Sequence, residues 1–314
     1  MAGKDSATRE ASSRRGVTKG PPADERVQRQ RRLFEEAAAV ASEPQVKPLR
    51  HPIWTESKAR LIQSYLKLFT FVTKHGTYID AFAGPQQVGK PEMWSAKLVI
   101  DCEPRWLRHF HLFERNKDKV AQLRTLVHDH NRILEDAGGK ARDLNVYEGD
   151  CNIEIPAALE RSPIRDKEAT FALLDQRTFE CHWATVRALA THKRSGHKIE
   201  LFYFLPNKWL PRSLAGLTKN PETAQRWWGR DDWKTLGSLT TRQRAERFTD
   251  RFKEEFSYAS VKAWPISERT AGGGSVMYFM IHATDHPEAP ILMRRAFEHA
   301  VDPTKPAEQL ELVR

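Results

Sequence analysis

Along most of the chain, short apolar runs alternate with longer stretches of helical periodicity. The first run, Tyr78-Ile79, reaches an acid at Asp80 and breaks into a turn at Gly84 and Pro85. RHFHLFER ends its run at Glu114, LNVYEGD leads to Asp150, and TFALLD closes on Asp175. IELFYFLP is a fifth run. Short apolar runs bounded by turn residues read as buried strands. Ahead of the first, WTESKARLIQSYLKLFTFVTKHG places Leu61, Tyr65, Leu68 and Phe69 on one helical face. Thr55 or Ser57 is its candidate cap and Gly76 its stop. NKDKVAQLRTLVHDHNRIL carries Val120, Leu123, Leu126 and Val127 on one stripe, and IPAALER and HWATVRALATHKR also read as helices. Alternating strand and helix units predict an α/β fold with a mostly parallel, doubly wound sheet. SVKAWPIS and SVMYFMIHATD, joined by the glycine-rich ERTAGGG, predict an antiparallel hairpin at its end.

Two regions stand outside that alternation. Residues 1–45 are polar and lack strand periodicity, with one helical pattern in RVQRQRRLFEEAAAVASE. They are expected to be a disordered or partly helical basic arm ahead of one domain over 46–314. Residues 217–256 read as a helical insertion. There Trp227, Trp228 and Trp233 lie among Arg226, Arg230 and Lys234, and TRQRAERFTDRFKEEF aligns Ala245, Phe248, Phe252 and Phe256. Aromatics interleaved with cations suit stacking on nucleic-acid bases. Tryptophans packed on the main domain are the other reading, and both stay open here.

Composition narrows the class. The chain has 314 residues, 39% hydrophobic and 29% charged, with a net charge of +10. That balance describes a soluble globular protein and permits contact with a polyanion without establishing it. Residues 1–50 hold 11 Lys/Arg and 7 Asp/Glu, so they supply +4 and the excess is spread out. No apolar run approaches the roughly 20 residues that cross a bilayer, and the N-terminus lacks a secretory signal's apolar core. Cys102, Cys151 and Cys181 stand far apart and match no zinc or disulfide spacing. A reduced, cytoplasmic protein without membrane contact is expected. His282, Asp285 and His286 lack the spacing of a defined metal site, and no metal is expected.

The acids carry the candidate chemistry. Asp80, Glu114, Asp150 and Asp175 each close a strand-like run, and in a parallel sheet those ends share the edge where open α/β folds bind ligands. Exposed turn acids are the alternative. Gly84 allows close backbone approach to a ligand. FAGPQQVG is no GxGxxG, and no GxxxxGK[ST] phosphate loop occurs, which disfavours a polyphosphate ligand. S-adenosylmethionine, with ribose and adenine but no phosphate, fits better, and its sulfonium cation suits a carboxylate-rich edge.

Taken in order, YIDAFAGPQ, HLFERN, VYEGDCN, FALLDQRTFECHWATV, WWGRDDW and MYFMIHATDHPEAPILM resemble the three-Cys-motif partner protein family (TcmP), from about Lys47 to about Glu298. The resemblance implies a Rossmann-like sheet of the class I S-adenosylmethionine-dependent methyltransferase kind. It also implies a radical-SAM-like three-Cys-motif protein as partner, and leaves the reaction unassigned. By that resemblance Asp80, Ala81, Phe82 and Gly84 match the first methyltransferase motif. Glu114 matches the ribose-binding acid, and Asp150, followed by Cys151, the adenine-side acid. Asp175 falls beside the methyl group.

The chain departs from the pattern at one place. Amino-methyltransferases of DNA carry [DN]PP[YF] where this chain has DQRTFECHW. Asp175, Arg177 and Glu180 are the catalytic candidates, with a general base drawn from Asp175, Glu180 or His182. In the competing reading Arg177 and Glu180 form an ion pair that holds the loop while Trp183 packs. Cys181 reads as a small buried residue, since a thiol nucleophile needs a nearby base. Two functions follow: a methyltransferase acting on nucleic acid or a partner macromolecule, or a non-catalytic scaffold for the three-Cys-motif protein.

Overall fold

The computed structural model describes residues 55–86, 90–217, 220–267 and 275–301. The expected arm, residues 1–45, and the whole ERTAGGG loop, residues 268–274, lie outside them. The described residues belong to the unit Val46–Arg314. They build a seven-stranded sheet in the order β3-β2-β1-β4-β5-β7-β6. Its strands are β1 (Thr77–Asp80), β2 (His109–Glu114), β3 (Asp143–Glu148), β4 (Thr170–Leu174), β5 (Glu200–Pro206), β6 (Ser260–Ser267) and β7 (Val276–Thr284). The first five run parallel, and β7 lies antiparallel between β5 and β6.

Alternation along the central strands feeds two apolar layers. In β5, Leu201, Tyr203 and Leu205 enter one core while Phe202 and Phe204 enter the other. In β4, Ala172 and Leu174 face the first and Phe171 and Leu173 the second. A strand buried on both faces is apolar throughout, which explains why FALL and LFYFL read as continuous runs. The first core is closed by α4 (Cys151–Arg161), α5 (Trp183–Ala190), α6 (Leu210–Gly216), α7 (Pro221–Trp228) and α8 (Thr241–Phe256). The second is closed by α1 (Thr55–Thr73), α2 (Ser95–Ile100), α3 (Lys117–Asp136) and α9 (Ala289–Val301).

Local details depart from the sequence reading. Helix α1 already includes both Thr55 and Ser57, so neither is its cap. It also stops before Gly76: Lys74 takes the left-handed conformation (φ 57°) and its amide closes on the Thr70 carbonyl at 2.7 Å. Gly76 serves packing instead, because a Cβ there would stand 2.9 Å from Leu107 Cδ2 and 3.0 Å from the Ala169 carbonyl oxygen. Helices α2 and α9 carry no expectation from the sequence. Within 217–256, a 3-10 turn (Asp231–Gly237) joins α7 to α8, whose start is a reciprocal Thr240–Gln243 capping box.

The insertion's tryptophans are core. Trp227 and Trp228 have no solvent exposure and Trp233 has 7%. The stacking platform for bases is therefore not there, since an indole without exposed face offers a base nothing to stack on. The helical period of α8 supplies the reason. It turns Phe248, Phe252 and Phe256 inward, and the indoles join them in the first core.

Candidate functional site

In an open sheet, ligands bind where the strand order reverses. Here that point lies between β1 and β4, whose neighbours β2 and β5 are reached in opposite directions. Asp80 ends β1, Asp175 follows β4, and Glu114 ends β2. Parallel registry brings these strand ends to one edge.

Asp80 faces inward. It is 1% exposed, its Oδ1 accepts from the Phe82 amide at 3.0 Å, and its Oδ2 accepts from the Tyr78 hydroxyl at 2.9 Å. Burial pushes this carboxyl up to about 7, against the pull of those two donors, and the charges of Asp175 and Glu114 push the same way. The next residues are folded under the edge: the Ala81 amide donates to the Leu173 carbonyl at 3.0 Å, and Phe82 packs against the first core.

Glu114 clamps the turn after β1. Its Oε2 accepts from the Gly84 amide at 3.1 Å, and its Oε1 accepts from the Asn116 amide at 2.8 Å. A Cβ on Gly84 would collide with that carboxylate and lie 2.9 Å from Lys119 Cβ. Glycine is needed at this position for approach, not for an unusual φ. The Glu114 side chain is half-buried, and a carboxylate oxygen holding one N–H keeps a further lone pair. A ribose diol can use those lone pairs, so the residues fit that end of S-adenosylmethionine.

Asp150 caps α4, accepting from the Asn152 amide at 2.9 Å. Cys151 starts that helix with its side chain buried in the first core, and burial pushes its thiol up to about 12. Cys181 is fully buried and its thiol is pushed well up by the same cause. Neither thiol is an available nucleophile at neutral pH.

The DQRTFE loop is internally braced. Gln176 donates to the Phe204 carbonyl at 3.2 Å and accepts from the Cys181 amide at 3.1 Å. Glu180 accepts from the Thr178 amide at 2.6 Å, while Asn152 donates to the Glu180 carbonyl at 2.7 Å. The Arg177–Glu180 ion pair of the competing reading is absent among the described residues. The loop turns Glu180 back onto its own backbone and leaves Arg177 exposed. Trp183 packs, as the competing reading had it, and donates to Glu255 at 2.8 Å.

Beside this loop lies a cavity of about 410 Å³, whose lining includes Lys58, Asp175, Gln176, Arg177, Trp209 and Tyr278. Lys58 reaches over from α1 and places its ammonium 2.6 Å from Asp175 Oδ1. The same nitrogen lies 4.6 Å from the Phe204 ring centroid and 6.0 Å from that of Tyr278. Burial pushes the Tyr278 hydroxyl up to about 12, with the Asp175 charge adding to it. Of the candidate catalytic residues, the structure brings Asp175 and Arg177 to this cavity, with Glu180 behind them in the loop. The candidate cofactor residues lie along the edge toward β2 and β3, outside its lining. Sequence reasoning missed Lys58, Trp209 and Tyr278. Tyr278 arrives only through the antiparallel pairing of β7 with β5, opposite Pro206. Nothing in the local pattern of α1 marks Lys58.

A larger cavity, about 520 Å³, opens at the opposite edge, between residues 75–76, 108–109 and 165–168. It sits at the strand starts, and both its acids are already engaged: Glu168 by His75 at 3.5 Å and Arg165 at 3.6 Å, and Asp166 by the Ser195 hydroxyl at 2.7 Å. The carboxyl edge is the stronger candidate on topology. Among the described residues, no three His, Cys, Asp or Glu side chains converge as a metal site, and no helix is long and apolar enough to cross a membrane.

Comparison with family models and with curated proteins gives no match for this chain.

Proposed function

We propose that this protein binds S-adenosylmethionine at the carboxyl edge of its sheet and acts as a methyltransferase-like protein of the three-Cys-motif partner kind that its sequence resembles. One observation carries the reading. At the β1/β4 reversal, a buried acid, a glycine in enforced contact with the second strand's acid, and Asp175 beside a polar cavity lie in succession. The strand order with β7 inserted antiparallel is also the one expected for a class I methyltransferase sheet. When bound, the cofactor supplies an electrophilic methyl group on a sulfonium. In this reading Glu114 holds the ribose diol, Gly84 lets that carboxylate sit close against the turn, and Asp80 fixes the turn from below. Asp175 and Lys58 face the acceptor.

Calorimetric titration tests it. Glu114→Gln keeps the side chain's shape and loses the charged acceptor, and a charge-assisted hydrogen bond is worth about 1.5–3 kcal/mol. Affinity for S-adenosylmethionine should fall by about one to two decades. Equal affinity in parent and variant would move the pocket elsewhere.

A second reading has its own observation. Glu180 is spent on the Thr178 amide and the loop is braced from three sides. Such a rigid loop suits a docking surface for a three-Cys-motif protein without catalysis. A parent protein that fails to bind S-adenosylmethionine would favour this scaffold.

A further inference from the structure

The pairing of Asp175 with Lys58 bears on what the cavity accepts. A bare carboxylate at the end of β4 would attract an amine. Here its Oδ1 already holds an ammonium at 2.6 Å, and that ammonium is braced over the Phe204 ring. Asp175 is 6% exposed, so little of it remains open to a second cation. Arg177 lines the same cavity, is exposed, and forms no ion pair among the described residues. Among the charged side chains that line it, two cations face one anion. A positively charged acceptor would meet repulsion from both, whereas a hydroxyl oxygen can accept from an ammonium, and a guanidinium fork matches a phosphate's paired oxygens.

We infer that the Lys58–Asp175–Arg177 cavity takes a hydroxyl-bearing phosphate ester, its hydroxyl oxygen at Lys58 and its phosphate at Arg177, and rejects amines. The inference names the class of ligand held at the proposed transfer site and rests on that reading only for calling it that; it assigns no chemical step to the hydroxyl. Binding itself is independent of that reading. Lys58 is the selecting group: it neutralises Asp175 and turns a cation subsite into one for oxygen.

The test uses the full chain without cofactor. Ribose 5-phosphate and n-butylammonium are titrated separately and followed by NMR. A single-stranded oligoribonucleotide in a third arm distinguishes a strand from a free sugar phosphate. The unaltered protein should bind ribose 5-phosphate, or the oligonucleotide more tightly if the source is a strand, and ignore butylammonium. Arg177→Ala should weaken phosphate-ester binding about tenfold, the effect of losing one such contact. Lys58→Ala should reverse the preference, because it uncovers the Asp175 carboxylate to butylammonium. If Lys58→Ala does not fold, Arg177→Glu, at an exposed position, should abolish ester binding on its own. The inference is overturned by butylammonium binding to the unaltered protein, by no binding of either ester, or by Arg177 variants that bind as the parent does. A parallel titration with S-adenosylmethionine separates the two proposals. Ester binding without cofactor binding sinks the methyltransferase reading alone, and the reverse sinks this one alone.

Discussion

Asp80 is held at 1% exposure by a tyrosine hydroxyl and a backbone amide, and its carboxyl is raised from 3.8 to about 7 in the fold. Because the folded value lies above the unfolded one, the native state binds more protons between those limits. The contribution of Asp80 to stability therefore falls as pH rises from about 4 to about 7 and is level beyond, by an amount on the order of 4 kcal/mol. Asp80→Asn removes the titration and keeps an acceptor for Phe82. In urea denaturation at pH 5 and pH 8, the variant should gain on the parent as pH rises. A gap that does not change with pH would mean Asp80 is ionised throughout. Other contacts at this scale are purely structural. Arg251 is sandwiched between Trp183 at 3.8 Å and Trp228 at 4.1 Å, while Glu255 accepts from its Nε at 2.6 Å. A guanidinium can be buried there because two ring faces and a carboxylate replace its water.

Among the elements, the insertion reads differently once it is seen packed. Its amphipathic period was legible in the sequence, while the capping box that starts α8 came with the structure. The destination of the indoles was not legible, because tryptophan beside arginine looks alike in a binding face and in a cation–π core. The Trp183–Arg251–Trp228 stack decides for the core. Trp228→Ala should cost about 3–5 kcal/mol, the range for emptying a large aromatic site. A loss well under 1 kcal/mol in equilibrium denaturation would contradict the packing. The turn after β1 shows the same limit. Gly84 was recognisable as a close-approach residue, but its neighbour is the Glu114 carboxylate of the adjacent strand.

Across the whole molecule, helix α1, β5 and β7 are tied by one buried polar group. Glu200 accepts from Thr284 Oγ1 at 2.9 Å and lies 2.9 Å from His282 Nε2, and the Tyr65 hydroxyl donates to it from α1. Its side chain is 5% exposed and that of His282 is 2%. Taking away the acceptor of buried hydrogen-bond donors costs about 1–3 kcal/mol for each group left unsatisfied. Glu200→Ala should reach that range and lower the melting temperature accordingly. A near-neutral result would mean that the network adds nothing beyond its apolar surroundings. The same network answers for His282: it is an interior hydrogen-bonding residue, committed to Glu200.

The sequence by itself determined the period of the seven strands and of most helices, though not of α2 and α9, the acids at the strand ends, the glycine at the turn and the antiparallel close of the sheet. These follow from local physics: side-chain alternation, turn chemistry and helical stripes are all written in neighbouring residues. Only the tertiary structure decided which partners those residues meet. Lys58 and Asp175 are 117 positions apart, and no local pattern couples them. Tyr278 joins the cavity through strand pairing, Arg177 is left open because Glu180 turns inward, and the tryptophans enter the core because α8 presents its apolar face to β5. Such outcomes depend on burial and long-range closure, where one desolvated charge must find its counter-ion wherever the fold supplies it.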